Sequence, residues 1–252
     1  METIRFHGRV IPETMQVSIG FSPLIRWKAE EIGVEMEFVC RIEKSKIEVE
    51  CRAVKWRPEH FAEVYRRALD ICRAKVDLVA FKLGWGLTVI FDTYVVPAGE
   101  TVPIIHTMHE LDGICTAYSL DCHFDEVCAQ VLQRPLLFMA LRELISAISL
   151  PHVSPVECAR AMDRLKHLIA RPGSTDKSAW HQMREALHVE EAYLRFITDH
   201  SANPRHGQPG HTSGAVTTEV TRRAWVVMNR YLEYLRRGAL ELDPIAFPLI
   251  AS

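Results

Sequence analysis

The chain has 252 residues, 48% hydrophobic and 25% charged, with a formal net charge of -2. This composition excludes a disordered or fibrous chain and supplies enough apolar side chains for one large domain or two small ones. With 30 basic against 32 acidic side chains, no global field draws the molecule to nucleic acid or to an anionic membrane, so any such site must be local. The 7 cysteines are odd in number, and Cys40, Cys51 and Cys72 sit in apolar patterns, as buried free thiols do. The N-terminal stretch from Met1 to His7 has no apolar signal core, and no apolar run approaches the length of a membrane span. The expectation is a soluble cytoplasmic protein with no membrane partner.

The first half opens with strand signals. Val10, Val17 and Ile19 lie in short segments broken by Gly8, Pro12, Gly20 and Pro23. A hairpin follows. Met36, Phe38, Cys40 and Ile42 alternate with polar or outward residues, and Ile47, Val49, Cys51 and Ala53 do the same beyond Lys44 and Ser45. A period of two on both arms predicts one buried and one solvated face. Pro58 suits a first helical position, and Phe61, Val64, Tyr65, Ala68, Leu69, Cys72, Val76 and Val79 form one apolar stripe, so a helix over 58–81 should cover the sheet. Gly84 and Gly86 end it. Residues 87–96 read as a long strand stopped at Pro97, and 102–105 as a shorter one.

The second half is helical. Leu136, Leu137, Met139, Leu141, Leu144, Ile145 and Ile148 predict a buried helix over 130–148. Ser154, Pro155 and Glu157 form a capping-box pattern that should open a helix reaching about residue 170. A third helix is expected over 176–199, then a polar loop over 201–214, then a last helix over 216–237 stopped by Gly238. The apolar tail from 240 onward should pack across a surface or join a partner. The fold class is therefore α+β, an N-terminal antiparallel sheet with a covering helix followed by a helical bundle, with domains at 1–111 and 112–252.

Several signatures are missing: the phosphate-cradling glycine loop, the dinucleotide glycine fingerprint, His-Glu-x-x-His and Gly-x-Ser-x-Gly. Two places hold residue types that carry chemistry. His106, His109, Cys115, Cys122, His123 and Cys128 are metal-ligand types in one window, but they include no Cys-x-x-Cys pair. The other reading makes Cys115 and Cys128 core thiols and the histidines loop residues, and no metal or other cofactor is expected. The second place is the polar stretch with His200, Asn203, Arg205, His206, Gly207 and His211. Histidine exchanges protons near neutral pH, and arginine offers phosphate a planar fork of donors. Its structural reading is a helix-to-helix loop with a histidine capping a helix end. Arg222, Arg223, Arg230, Arg236 and Arg237 on the last helix are suited either to tracking a phosphate backbone or to lying on a solvated face. Trp27, Trp56 and Trp85 read as aromatics of the N-terminal layer.

A buried helix, a capped helix, a long helix, a polar loop with His206-Gly207 and a long final helix together resemble a HEPN domain over about 132–237. That family's hallmark is an arginine followed by four to six residues and a histidine. Arg195 and His200 satisfy the spacing, with Phe196 after the arginine, and His206-Gly207 is similar to the family's His-Gly, with Asn203 nearby. The resemblance implies metal-independent RNA cleavage in a toxin-like or antiviral-defence setting. The ribose 2′-hydroxyl would attack the phosphate, His206 or His200 would handle the proton, and Arg205 or Arg195 would steady the developing charge. It also implies a homodimer, since such sites form between two copies. The alternative is a catalytically inactive HEPN-like scaffold or regulatory module. In either case the glutamate-rich outer sheet face should repel RNA and leave the N-terminal domain free for a protein partner or a small ligand.

Overall fold

The structure, a computed structural model, describes residues 1–20, 24–29, 33–105, 107–119, 122–150, 153–205 and 214–251, with backbone alone at 203–205. The fold is α+β, and it divides into two compact units, Met1–Ile105 and His106–Ser252.

The first unit is a six-stranded antiparallel sheet with one long helix. Its strands are β1 (Glu2–Ile11), β2 (Ile25–Ala29), β3 (Val34–Glu43), β4 (Lys46–Ala53), β5 (Thr88–Val95) and β6 (Thr101–Pro103), in the order β2-β3-β4-β1-β5-β6. The hairpin predicted around Lys44 and Ser45 forms, with Ile42 opposite Ile47 and Cys40 opposite Val49. Both turn residues take positive φ, the twist a tight hairpin needs. The N-terminal segment is more regular than its glycines and prolines suggest. β1 runs ten residues through the middle of the sheet, pairing β4 on one side and β5 on the other, with a bulge at His7/Gly8.

Helix α1 (Phe61–Leu83) buries Val64, Tyr65, Ala68, Leu69, Cys72 and Val76, the stripe read from the sequence. Phe6, Phe61, Tyr65, Phe91 and Tyr94 form an aromatic cluster between helix and sheet, with Phe61 and Tyr94 centroids 4.4 Å apart. Cys40, Cys51 and Cys72 are buried in this core, and burial pushes the Cys51 thiol up to about 12, so it stays protonated. Trp27 is partly exposed beneath the Arg67 guanidinium, 3.9 Å from its ring centroid. Asp92, on β5, is held by Arg9 of the neighbouring strand at 3.1 Å.

The second unit contains α2 (Phe124–Gln133), α3 (Pro135–Ser149), α4 (Ser154–Ile169), α5 (Asp176–Leu187), α6 (Glu191–Arg205) and α7 (Gly214–Arg236). Two expected helices are each two. The first breaks at Arg134, which is extended and hands the chain to Pro135 at a first helical position. The second breaks at His188, which adopts the left-handed conformation with φ 49° and ψ 58°. The expected capping box at Ser154 is also corrected. Ser154 lies inside α4 with no side-chain cap, and its hydroxyl meets the Thr221 hydroxyl of α7 at 2.7 Å.

One core joins these helices: Leu137, Leu144, Met162, Leu165, Met183, Leu187, Leu194, Ile197, Val227 and Tyr231 are among its buried residues. Arg164 of α4 grips Glu143 of α3 with contacts of 2.8–2.9 Å. Asn229 of α7 accepts from the backbone N–H of Thr116 and Ala117, which fixes the chain entering this unit. The tail folds back as expected, pairing Ile250 with His188 and Glu190 through backbone hydrogen bonds of 2.9 Å. Among the described residues no helix is long and apolar enough to cross a membrane.

Candidate functional site: the seam between α6 and α7

α6 extends to Arg205, so residues 201–205 are helical and belong to its last turn, not to the expected loop. The side chains of Asn203 and Arg205, and all of His206 and His211, lie outside the described residues. Arg195 and His200 can be placed. Five helical positions set them roughly 140° apart around the axis, so they do not share a face. The exposed Arg195 reaches back one turn and donates to Glu191 at 2.9 Å through Nε. Arg195, with Arg184, holds the Glu191 carboxyl below its usual range. His200 is half-buried, and its ring stands edge-on to Phe196 with centroids 4.8 Å apart.

The arginine that joins this group comes from α7. The Arg223 guanidinium lies over the Phe196 ring at 4.1 Å and over the Tyr193 ring at 4.7 Å. Tyr193, Phe196 and His200 recur at i, i+3 and i+7, one face of α6, and Phe196 contacts both Arg223 and His200. Sequence reasoning missed Tyr193, Phe196 and Arg223 as a group. The only available signal was that helical spacing, and it is the spacing of any packed face.

Glu219 organises the facing side of α7. Its carboxylate accepts from Arg222 Nε and Nη2 at 2.8 and 2.9 Å and from Arg223 Nε at 2.7 Å. Hydrogen bonds from Arg222 and then Arg223 outweigh partial burial and bring the Glu219 carboxyl down to about 2. Glu233 sits 3.5 Å from both Arg236 and Arg237. Four of the five arginines suited to phosphate tracking are thus engaged with carboxylates of their own helix. Arg230 differs: its Nη2 donates to the Pro248 carbonyl of the tail at 2.9 Å, and burial lowers its pKa despite Tyr193 and Glu233 nearby. Among the described residues, three polar atoms of the seam are buried with no hydrogen-bond partner: Arg223 Nη1, Arg230 Nη1 and Tyr193 Oη.

The earlier metal window offers less. Cys115, Cys122 and Cys128 are exposed, which corrects the reading of Cys115 and Cys128 as core thiols. His123 engages Glu126 at 3.2 Å. Among the described residues no group of three or more His, Cys, Asp or Glu is placed to hold a metal ion, and His106 lies outside them.

Residues 4–105 match the N-terminal domain of DUF8168, and residues 124–236 match its C-terminal domain, both described as domains of unknown function. The chain matches both domains of DUF8168, in order. No curated protein and no solved structure matches it. The C-terminal DUF8168 match begins with α2 and ends with α7, so the whole α6–α7 seam falls inside it. The N-terminal match takes in the sheet from Ile4 to its last strand.

Proposed function

We propose that the C-terminal unit is a HEPN-like, metal-independent endoribonuclease of toxin-like or defence character, acting as a homodimer in the cytoplasm. The observation that carries this reading is the grouping of His200, Phe196 and Arg223. One aromatic ring contacts an imidazole and a partly buried guanidinium at a single helix seam. His200 would take the 2′-hydroxyl proton, or return one to the leaving 5′-oxygen, and Arg223 would answer the charge that gathers on the phosphate. Arg205 and Asn203, in the last turn of α6, and His206, which follows in sequence and lies outside the described residues, are the further groups this reading would recruit. The N-terminal sheet serves a protein partner. Its Glu50 and Glu37 are neutralised by Arg5, Arg52 and Arg26, which leaves the outer face a patchwork of ion pairs.

A second reading, a HEPN-like scaffold without catalysis, draws support from Arg195. Its commitment to Glu191 leaves the only described motif arginine turned from His200. The two readings separate in one assay: cleavage of mixed cellular RNA by the full-length protein with chelator present, beside His200→Ala, His206→Ala and Arg223→Gln. The nuclease reading expects products ending in 2′,3′-cyclic phosphate and a rate loss of about 100-fold or more in His200→Ala. Intact RNA with the folded wild type, or cleavage unchanged in His200→Ala and His206→Ala alike, would leave the scaffold.

A further inference from the structure

Buried donors without partners are rare in folded proteins, and three in one seam point to something that completes them. Among the described residues, Arg223 Nη1, Arg230 Nη1 and Tyr193 Oη are such atoms, the first two on α7 and the last on α6. Tyr193 is only 3% exposed. Burial holds its phenol above the usual value, so the hydroxyl keeps its proton and remains a donor. Arg222, Arg223 and Arg230 act on it electrostatically, and Glu219 opposes them, so three cations and one anion surround one hydroxyl.

The charge count gives the ligand its sign. Glu219 is the carboxylate shared by Arg222 and Arg223, while Glu233 is flanked by Arg236 and Arg237. Counted together, Arg222, Arg223, Arg230, Arg236 and Arg237 against Glu219 and Glu233 leave an excess of three positive charges along this stretch. A phosphate monoester dianion compensates more of that excess than a singly charged diester and offers three terminal oxygens to the donors. Glu219 holds Arg222 and Arg223 side by side beforehand, so little ordering remains for the ligand to impose. The Arg222 side chain is 37% exposed against 13% for Arg223, which makes Arg222 the outer member and the entry side.

We propose that the α6–α7 seam binds a phosphate monoester, gripped by Arg222, Arg223, Arg230 and the Tyr193 hydroxyl. The proposal goes beyond RNA cleavage and does not need it, because the readout is affinity without turnover.

The test is calorimetric titration of the full-length protein with inorganic phosphate and with adenosine monophosphate, repeated with Tyr193→Phe and Arg222→Ala. Tyr193→Phe removes one oxygen and keeps the packed ring. Its ligand-free unfolding midpoint should hold or rise, and its affinity for both probes should fall about tenfold. Arg222→Ala acts at the exposed side and should cost a similar factor. A pair of oligoribonucleotides with 5′-phosphate or 5′-hydroxyl ends then identifies the source. Tighter binding of the phosphorylated oligomer than of adenosine monophosphate assigns an RNA end, and equal binding assigns a free nucleotide. Either result upholds the site. Absence of binding by both small probes, or affinities unchanged in both variants, would overturn it.

Discussion

At Gly8 the strands β1 and β5 approach so closely that a Cβ would lie 2.1 Å from the Ile90 carbonyl oxygen and 2.9 Å from the Phe91 Cα. Both obstacles are backbone atoms, so neither can swing aside. Gly8 also lies at the bulge where the β1–β5 register shifts, and a glycine inside a strand often marks such a place. Gly8→Ala should therefore destabilise the protein by about 1–3 kcal/mol, the range of an overpacked core. In urea the midpoint should fall with an unchanged slope. A variant as stable as the wild type would mean that the strands can part without cost. In the sequence this glycine looked like an interruption of strand structure, because a pattern of side chains does not reveal where two backbones touch.

Among the elements, α7 adds a knot of ion pairs to its buried apolar stripe. Glu219 draws Arg222 and Arg223 together from i+3 and i+4, the spacing at which helical side chains meet. Its carboxyl titrates at about 2 in the folded protein against 4.5 for the free group. A depressed carboxyl contributes stability that is present above the unfolded pKa and lost as pH falls through the folded one. The loss should therefore develop between about pH 4.5 and pH 2. The side chain keeps a third of its surface in water, so screening reduces the contribution to about 1–2 kcal/mol. Glu219→Gln should be less stable than the wild type at neutral pH by that amount, and the two should converge near pH 2. A difference that persists unchanged to low pH would show that packing, not ionisation, is at stake.

Elements were legible in the sequence wherever one face is buried and the other wet, as in the β3–β4 hairpin and in α1, α4 and α7. Their ends were harder to read. The apolar period runs on through Arg134 and through His188, so the two breaks depend on backbone angles that periodicity does not encode. The candidate site shared that fate. The spacing of Arg195 and His200 was plain, but helix geometry separates them, and the arginine that meets the Phe196 ring beside His200 is Arg223, on the next helix of the chain.

Across the whole molecule, each unit carries a complete interior of its own. All six strands and the helix that covers them lie in Met1–Ile105, and the helical core from Ala117 to Leu232 lies in His106–Ser252. Among the described residues the strands of the sheet pair with one another in the order β2-β3-β4-β1-β5-β6. A chain of about a hundred residues buries enough of its surface to fold without disulfides or metal. The two fragments, produced separately, should each unfold cooperatively, with stabilities of about 5–15 kcal/mol. Circular dichroism should show sheet-dominated signal in the first and helix-dominated signal in the second, each with a single transition that two probes report alike. A first fragment that stays collapsed without a cooperative transition would show that its sheet needs the helical unit in order to pack. Cooperative fragments would instead allow the phosphate titration to be repeated on the second one alone, where Tyr193 and all three seam arginines reside.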